Sequence, residues 1–155
     1  MTAPQTHDKT TDMQTPNPIK TGSPMNPRDW TNDQIGAAIN LTASNGLHEH
    51  PDCVRMAGEW LAAQTPTARP NAGRVHPLKH LVENWCGRYV SSNDVEVAAH
   101  MLGIKGRYPY FAFKTGSLVL PSAARLKGIG QAFTQADTYK PNRYIDSYKF
   151  EEVTA

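Results

Sequence analysis

Apolar residues recur at helical spacing in four successive stretches of the chain. Ile35, Ala38, Ile39 and Thr42 sit on one face, followed by Cys53, Val54, Ala57, Trp60 and Leu61 on a second. Leu78, Leu81, Val82, Trp85 and Cys86 form the most regular stripe, and Val95, Ala98, Ala99 and Leu102 form a fourth. Steps of three and four place such residues on one side of an α-helix. Boundary signals agree with the stripes. Thr31 with Gln34, and Ser91 with Asp94, match capping boxes, in which each side chain satisfies an otherwise unpaired backbone N–H. Pro51 and Pro77 suit first turns. Asn45-Gly46, Gly87 and Gly103 are favoured stops.

Beyond Gly103 the period changes. Tyr108-Pro109-Tyr110-Phe111-Ala112-Phe113-Lys114 alternates and is aromatic, Thr115-Gly116 is a turn signal, and Ser117-Leu118-Val119-Leu120 is a second β-type run. This pattern predicts a hairpin near 108–120. A fifth helix is expected from Ser122 to about Phe133, with Leu126, Ile129 and Phe133 on one face. Gly128 and Gly130 would each weaken it by about 1 kcal/mol relative to Ala. The predicted fold is mainly α, a small domain of about five helices with one β-hairpin; a helical pair closed by the hairpin for packing alone fits the bare pattern best, and a winged-helix-like arrangement is the alternative to it.

Three regions follow from these elements. Residues 1–27 hold six Thr and five Pro, with Ile19 and three Met as the sizeable apolar side chains. Such a stretch cannot bury enough surface to offset the entropy of ordering, so a disordered arm is expected. Residues 28–136 form the expected compact helical domain, and 137–155 a polar and aromatic C-terminal tail that packs loosely. No stretch resembles a secretory signal or approaches the roughly 18 apolar residues of a membrane helix. Two cysteines are too few for a disulfide scaffold, which makes the cytoplasm the expected compartment.

Charge adds what hydropathy does not show. The net charge of +2 conceals a basic middle. Residues 28–64 carry two basic and five acidic side chains, whereas residues 69–127 carry nine basic ones against Glu83, Asp94 and Glu96. A local excess of that size in a nearly neutral chain points to an anionic partner.

Two patterns place candidate contacts in that middle. Ala99, Gly103 and Ile104 match the small–Gly–apolar spacing of a helix–turn–helix, although Pro109 is tolerable only in a first turn of its second helix. Arg stands beside Tyr at Gly87-Arg88-Tyr89, Lys105-Gly106-Arg107-Tyr108 and Asn142-Arg143-Tyr144, each next to a residue that favours a bend. Arg supplies charge and a planar fork of donors, and Tyr supplies a stacking face. The candidate contact set is Arg88, Lys105, Arg107, Tyr108, Tyr110, Lys114, Arg125 and Lys127.

Other chemistry is thinly supported. His48, His50 and Cys53 form H-x-H-x-x-C, and His76 and His80 lie four apart, but no Cys-x-x-Cys knuckle or His-Glu-x-x-His accompanies them. No nucleophile elbow or phosphate-binding Gly loop occurs. No cofactor, metal site or catalytic residue is expected. The leading functional expectation is a non-enzymatic protein that contacts nucleic acid, or a nucleoprotein complex, through residues 88–127. The alternative is a protein-binding inhibitor or adaptor, of the kind phages and plasmids carry, acting through the aromatic hairpin. A small enzyme with a dispersed active site comes third.

Overall fold

A computed structural model describes residues 25–42, 46–70 and 77–153. Most of the expected arm, with Asn45, Arg74 and His76, therefore lies outside the described residues. The chain is mainly helical. Among the described residues there are four α-helices: α1 (Asn32–Leu41), α2 (Pro51–Ala62), α3 (Leu78–Cys86) and α4 (Ser92–Met101).

Three of these four helices start on a capping side chain, whereas α3 follows Pro77 with none. The Thr31 hydroxyl accepts from the Gln34 N–H while the Gln34 side chain accepts from the Thr31 N–H, and Ser91 and Asp94 repeat this exchange before α4. At α2 the cap is His50, whose Nδ1 accepts from the Asp52 N–H, with Pro51 in the first turn. Gly87 ends α3 at φ 67°, a left-handed conformation that costs a residue with a Cβ far more.

Helix α2 is the centre of the core. Cys53, Val54, Met56, Ala57, Trp60 and Leu61 are all buried on it, against α1, α3, α4 and a 3-10 turn at Pro27–Asp29. Full burial of each large side chain contributes about 1.5–3 kcal/mol, which offsets the ordering of these short helices. That turn can approach because α2 presents Gly58: a Cβ there would stand 2.7 Å from the Trp30 ring and from Pro27. Among the described residues no helix is long and apolar enough to cross a membrane.

The β structure departs from expectation. The antiparallel pair is β1 (Gly106–Arg107) with β2 (Tyr110–Phe111), so it turns at Tyr108-Pro109 rather than at Thr115-Gly116. Pro109 has no N–H to give a ladder, so the turn is where the chain accommodates it. The run at Ser117–Leu120 does become a strand, β3 (Val119–Leu120), but it pairs in parallel with β4 (Phe150–Glu151). Its other edge is closed by a side chain. Gln64, fully buried, accepts from the Val119 N–H at 3.0 Å and donates to the Val119 carbonyl at 2.9 Å, standing in for a neighbouring strand.

Residues 122–133 do not make a helix. A 3-10 turn at Ala123–Leu126 gives way to further turns, with Gly128 at φ 86°. The segment from 137 to 153 has no buried residue, yet side chains tie it to the domain. The Tyr148 hydroxyl accepts from Trp60 Nε1 at 2.8 Å, and Glu152 accepts from the Ser122 N–H and from Arg125.

Candidate nucleic-acid interface

The hairpin β1–β2 belongs to a small layer of three segments. The Ala112 N–H donates to the Lys105 carbonyl at 2.9 Å, the Thr67 N–H donates to the Ala112 carbonyl at 3.1 Å, and the Lys114 N–H donates to the Thr65 carbonyl at 2.8 Å. Pro66 and Phe113 form an antiparallel bridge between the middle segment and the 65–70 segment. Residues 105–107, 110–114 and 65–70 are thus held side by side. Phe111 and Phe113 anchor the layer by burying their rings in the core, with Phe113 edge-on to Trp60 at 6.0 Å.

What this layer presents outward is basic and aromatic. Arg69, Lys105, Arg107 and Lys114 are exposed, as is Tyr110, and residues 65–70 and 105–117 contain no Asp or Glu. Arg69, Lys105 and Lys114 form no ion pair among the described residues. Arg107 donates Nε to Glu96 at 3.1 Å, but its side chain is 87% exposed. A pair in that much solvent contributes at most about 1 kcal/mol, so the guanidinium is easily redirected.

The structure brings together four of the eight predicted contacts: Lys105, Arg107, Tyr110 and Lys114. Tyr108 is half-buried beside them. Its hydroxyl accepts from the Lys79 N–H, and its ring meets Phe111 edge-on at 6.3 Å, so it supports the hairpin more than it faces outward. Lys127 is exposed just after the 3-10 turn at Ala123–Leu126, outside the three segments.

Arg88 and Arg125 are placed quite differently. Arg88 is 7% exposed and donates to Glu49, Gln131 and the Tyr89 carbonyl. Arg125 is held by Glu59 and Glu152, both at 2.7 Å. Burial opposes its charge, but those carboxylates outweigh the cost and push its pKa above the ordinary arginine value. A guanidinium committed to carboxylates inside the domain is not free to meet phosphate.

Two contributors escaped sequence reasoning. Arg69 sits in residues 65–75, where Pro66, Pro70 and Gly73 read from sequence as a loop between two halves. Glu96 reads as one more polar helix position, yet its carboxylate also accepts from the Tyr108 N–H at 2.9 Å and so fixes the hairpin to α4. The only signal for either was chain-distant pairing, which composition does not carry.

His48, His50, His80 and both cysteines have structural partners. His48 Nδ1 lies 2.9 Å from Asp94, His50 caps α2, and His80 Nδ1 lies 2.9 Å from the buried Glu83. The Cys53 thiol donates to the Tyr89 carbonyl. Burial, reinforced by Asp94, pushes the Cys53 thiol up to about 12, and burial raises Cys86 further. Among the described residues no three His, Cys, Asp or Glu side chains are grouped to hold a metal ion.

No protein-family model matches the chain, no curated protein matches its sequence, and no solved structure matches its fold.

Proposed function

We propose that this chain is a nucleic-acid-binding protein that engages the sugar–phosphate backbone through the three-segment layer. One observation carries the reading: Arg69, Lys105, Arg107 and Lys114 stand exposed on adjoining segments that contain no carboxylate, beside the exposed ring of Tyr110. Elsewhere, Arg28, Arg55, Lys79, Arg88 and Arg125 are each spent on a carboxylate within the domain. Exposed lysines near the C-terminus alternate with Asp137, Asp146 and Glu151, which dilutes their field. In this reading the hairpin and the 65–70 segment make the contact. A winged arrangement with α4 inserted in a groove is less well supported, because Val95, Val97, Ala98 and Ala99 are buried and Glu96 would face phosphate.

The test is fluorescence anisotropy of the full chain with labelled oligonucleotides over a salt series. Affinity should fall steeply as salt rises, and Lys105→Ala with Lys114→Ala should lower the log–log slope by about one per lost phosphate contact. Absent binding at low salt, or binding indifferent to salt, overturns the proposal.

A second reading has its own observation. An apolar groove of about 550 Å³ runs past Trp85, Leu120, Pro121, Phe133 and Ile145, of which Phe133 and Ile145 are 46% and 40% exposed. Clustered apolar exposure favours a protein contact, as an inhibitor or adaptor would make. A host nucleoprotein complex, the kind of target engaged by accessory proteins of phages and plasmids, offers chemistry for both surfaces.

A further inference from the structure

Beside the basic layer lies a notch of about 420 Å³ between α4 and the hairpin. Ala99, Ile104 and Phe111 form its apolar floor, and all three are buried and fixed in the core. Glu96 and His100 form its wall, and Arg107 stands at its mouth. The size falls within the range of small-molecule sites and exceeds what a single base needs.

Glu96 is the informative residue. A carboxylate next to a phosphate-binding surface repels the ligand, so for backbone contact alone it is a liability. Glu96 holds the hairpin through the Tyr108 N–H, and the acceptor capacity it has left suits a ligand group other than phosphate. One oxygen accepts from the Tyr108 N–H, which orients the carboxylate, and the other from the exposed Arg107 Nε, a bond that Arg107 can give up. Each oxygen has a further lone pair to offer. Two acceptors side by side match two donors side by side, and guanine presents such a pair on its Watson–Crick edge, N1–H and the exocyclic amino group. Thymine and uracil present only one N–H there, flanked by carbonyls that a carboxylate repels. In a duplex that edge is already paired, so the base must come from a single strand.

We propose that the notch accepts one unstacked guanine of single-stranded nucleic acid, with Glu96 accepting from its Watson–Crick donors. Arg107 and Lys105 hold the flanking phosphates, and the His100 ring offers a planar face to the base. This inference rests on the nucleic-acid reading above and adds to it a strand state and a base.

Anisotropy with the full chain tests it, using a thymidine oligomer of about a dozen nucleotides, the same oligomer with one central guanine, and the duplex of the latter. Uridine oligomers with and without a guanine show whether the ribose matters. The guanine-containing single strand should bind about tenfold tighter than all-pyrimidine strands or more, the discrimination expected of a good bidentate base contact. Guanosine 5′-monophosphate should displace it at concentrations where thymidine 5′-monophosphate does not. In Glu96→Gln, with circular dichroism matching the parent, the guanine-to-thymine ratio should collapse to within about twofold. Equal binding of guanine and thymine strands by the parent overturns the notch assignment while leaving salt-dependent binding intact. Preference for the duplex overturns it as well. Failure to bind any oligomer removes the underlying reading too.

Discussion

Replacing Gln64 with leucine tests how β3 is held. The side chain is fully buried at the end of α2, and its amide makes three hydrogen bonds: to the Val119 carbonyl at 2.9 Å, to the Trp60 carbonyl at 3.1 Å, and from the Val119 N–H at 3.0 Å. Leucine is close in volume, so the cavity contribution is small. A net loss of about 1 kcal/mol per bond gives roughly 3 kcal/mol. Trp60 keeps a bond from the Ala63 N–H, which lowers the total, whereas an unpaired Val119 N–H raises it by about 1–3 kcal/mol if water stays out. The expected cost of Gln64→Leu is therefore about 2–4 kcal/mol, read as a lower midpoint at unchanged slope in urea unfolding followed by far-ultraviolet circular dichroism. Gln64→Glu should be at least as damaging at neutral pH, where the introduced carboxylate faces the Val119 carbonyl. It should recover partly in acid, where the protonated carboxyl donates again. A loss below about 1 kcal/mol for the leucine variant, with no pH dependence for the glutamate one, would show that β3 does not depend on this amide.

Both cysteines should resist a thiol reagent such as Ellman's at pH 8 in the native chain and react fully in denaturant, because burial holds Cys53 near 12 and Cys86 higher; rapid native labelling of either would contradict their placement. Burial opposes ionisation of Glu152, but its bonds from Arg125 and Ser122 outweigh that and hold its pKa below the ordinary value. Its stabilisation is therefore present above the ordinary glutamate range of about 4.3 and fades as pH falls through the lowered value. Glu152→Gln should lower the urea midpoint at pH 7 and flatten its decline below pH 4, and a decline parallel to the parent's would refute the pairing. Asp94, raised by burial against its bonds from Ser91 and His48, contributes with the opposite sign and remains in both proteins.

The helices were legible because their signals are local. Ile35, Val54, Leu81 and Val95 all point where a period of 3.6 puts them, and both capping boxes form as spaced. The β structure was not, because strand pairing is decided far along the chain. Nothing near Val119 announces Phe150, and nothing about Gln64 announces that its amide will act as a strand edge. The expected fifth helix had an apolar period at Leu126, Ile129 and Phe133, but Phe133 takes φ 64° and its N–H donates to the Cys86 carbonyl instead. The site divides on the same line. Lys105, Arg107 and Tyr110 follow from a tight hairpin within a basic stretch, whereas Arg88 and Arg125 look equally available until Glu49, Glu59 and Glu152 arrive from 39, 66 and 27 positions away.

Glu59, buried on α2, accepts from the Arg28 N–H on one oxygen and from Arg125 on the other, and Arg125 in turn grips Glu152. Positions 28 and 152 are thus separated by little more than one carboxylate and one guanidinium. Positions 28 and 152, 124 residues apart in sequence, therefore meet at the Glu59–Arg125 pair. A short linker would join those positions without disturbing the helices, so the domain suits circular permutation, or insertion into a surface loop of another protein. The exposed basic layer would travel intact with it.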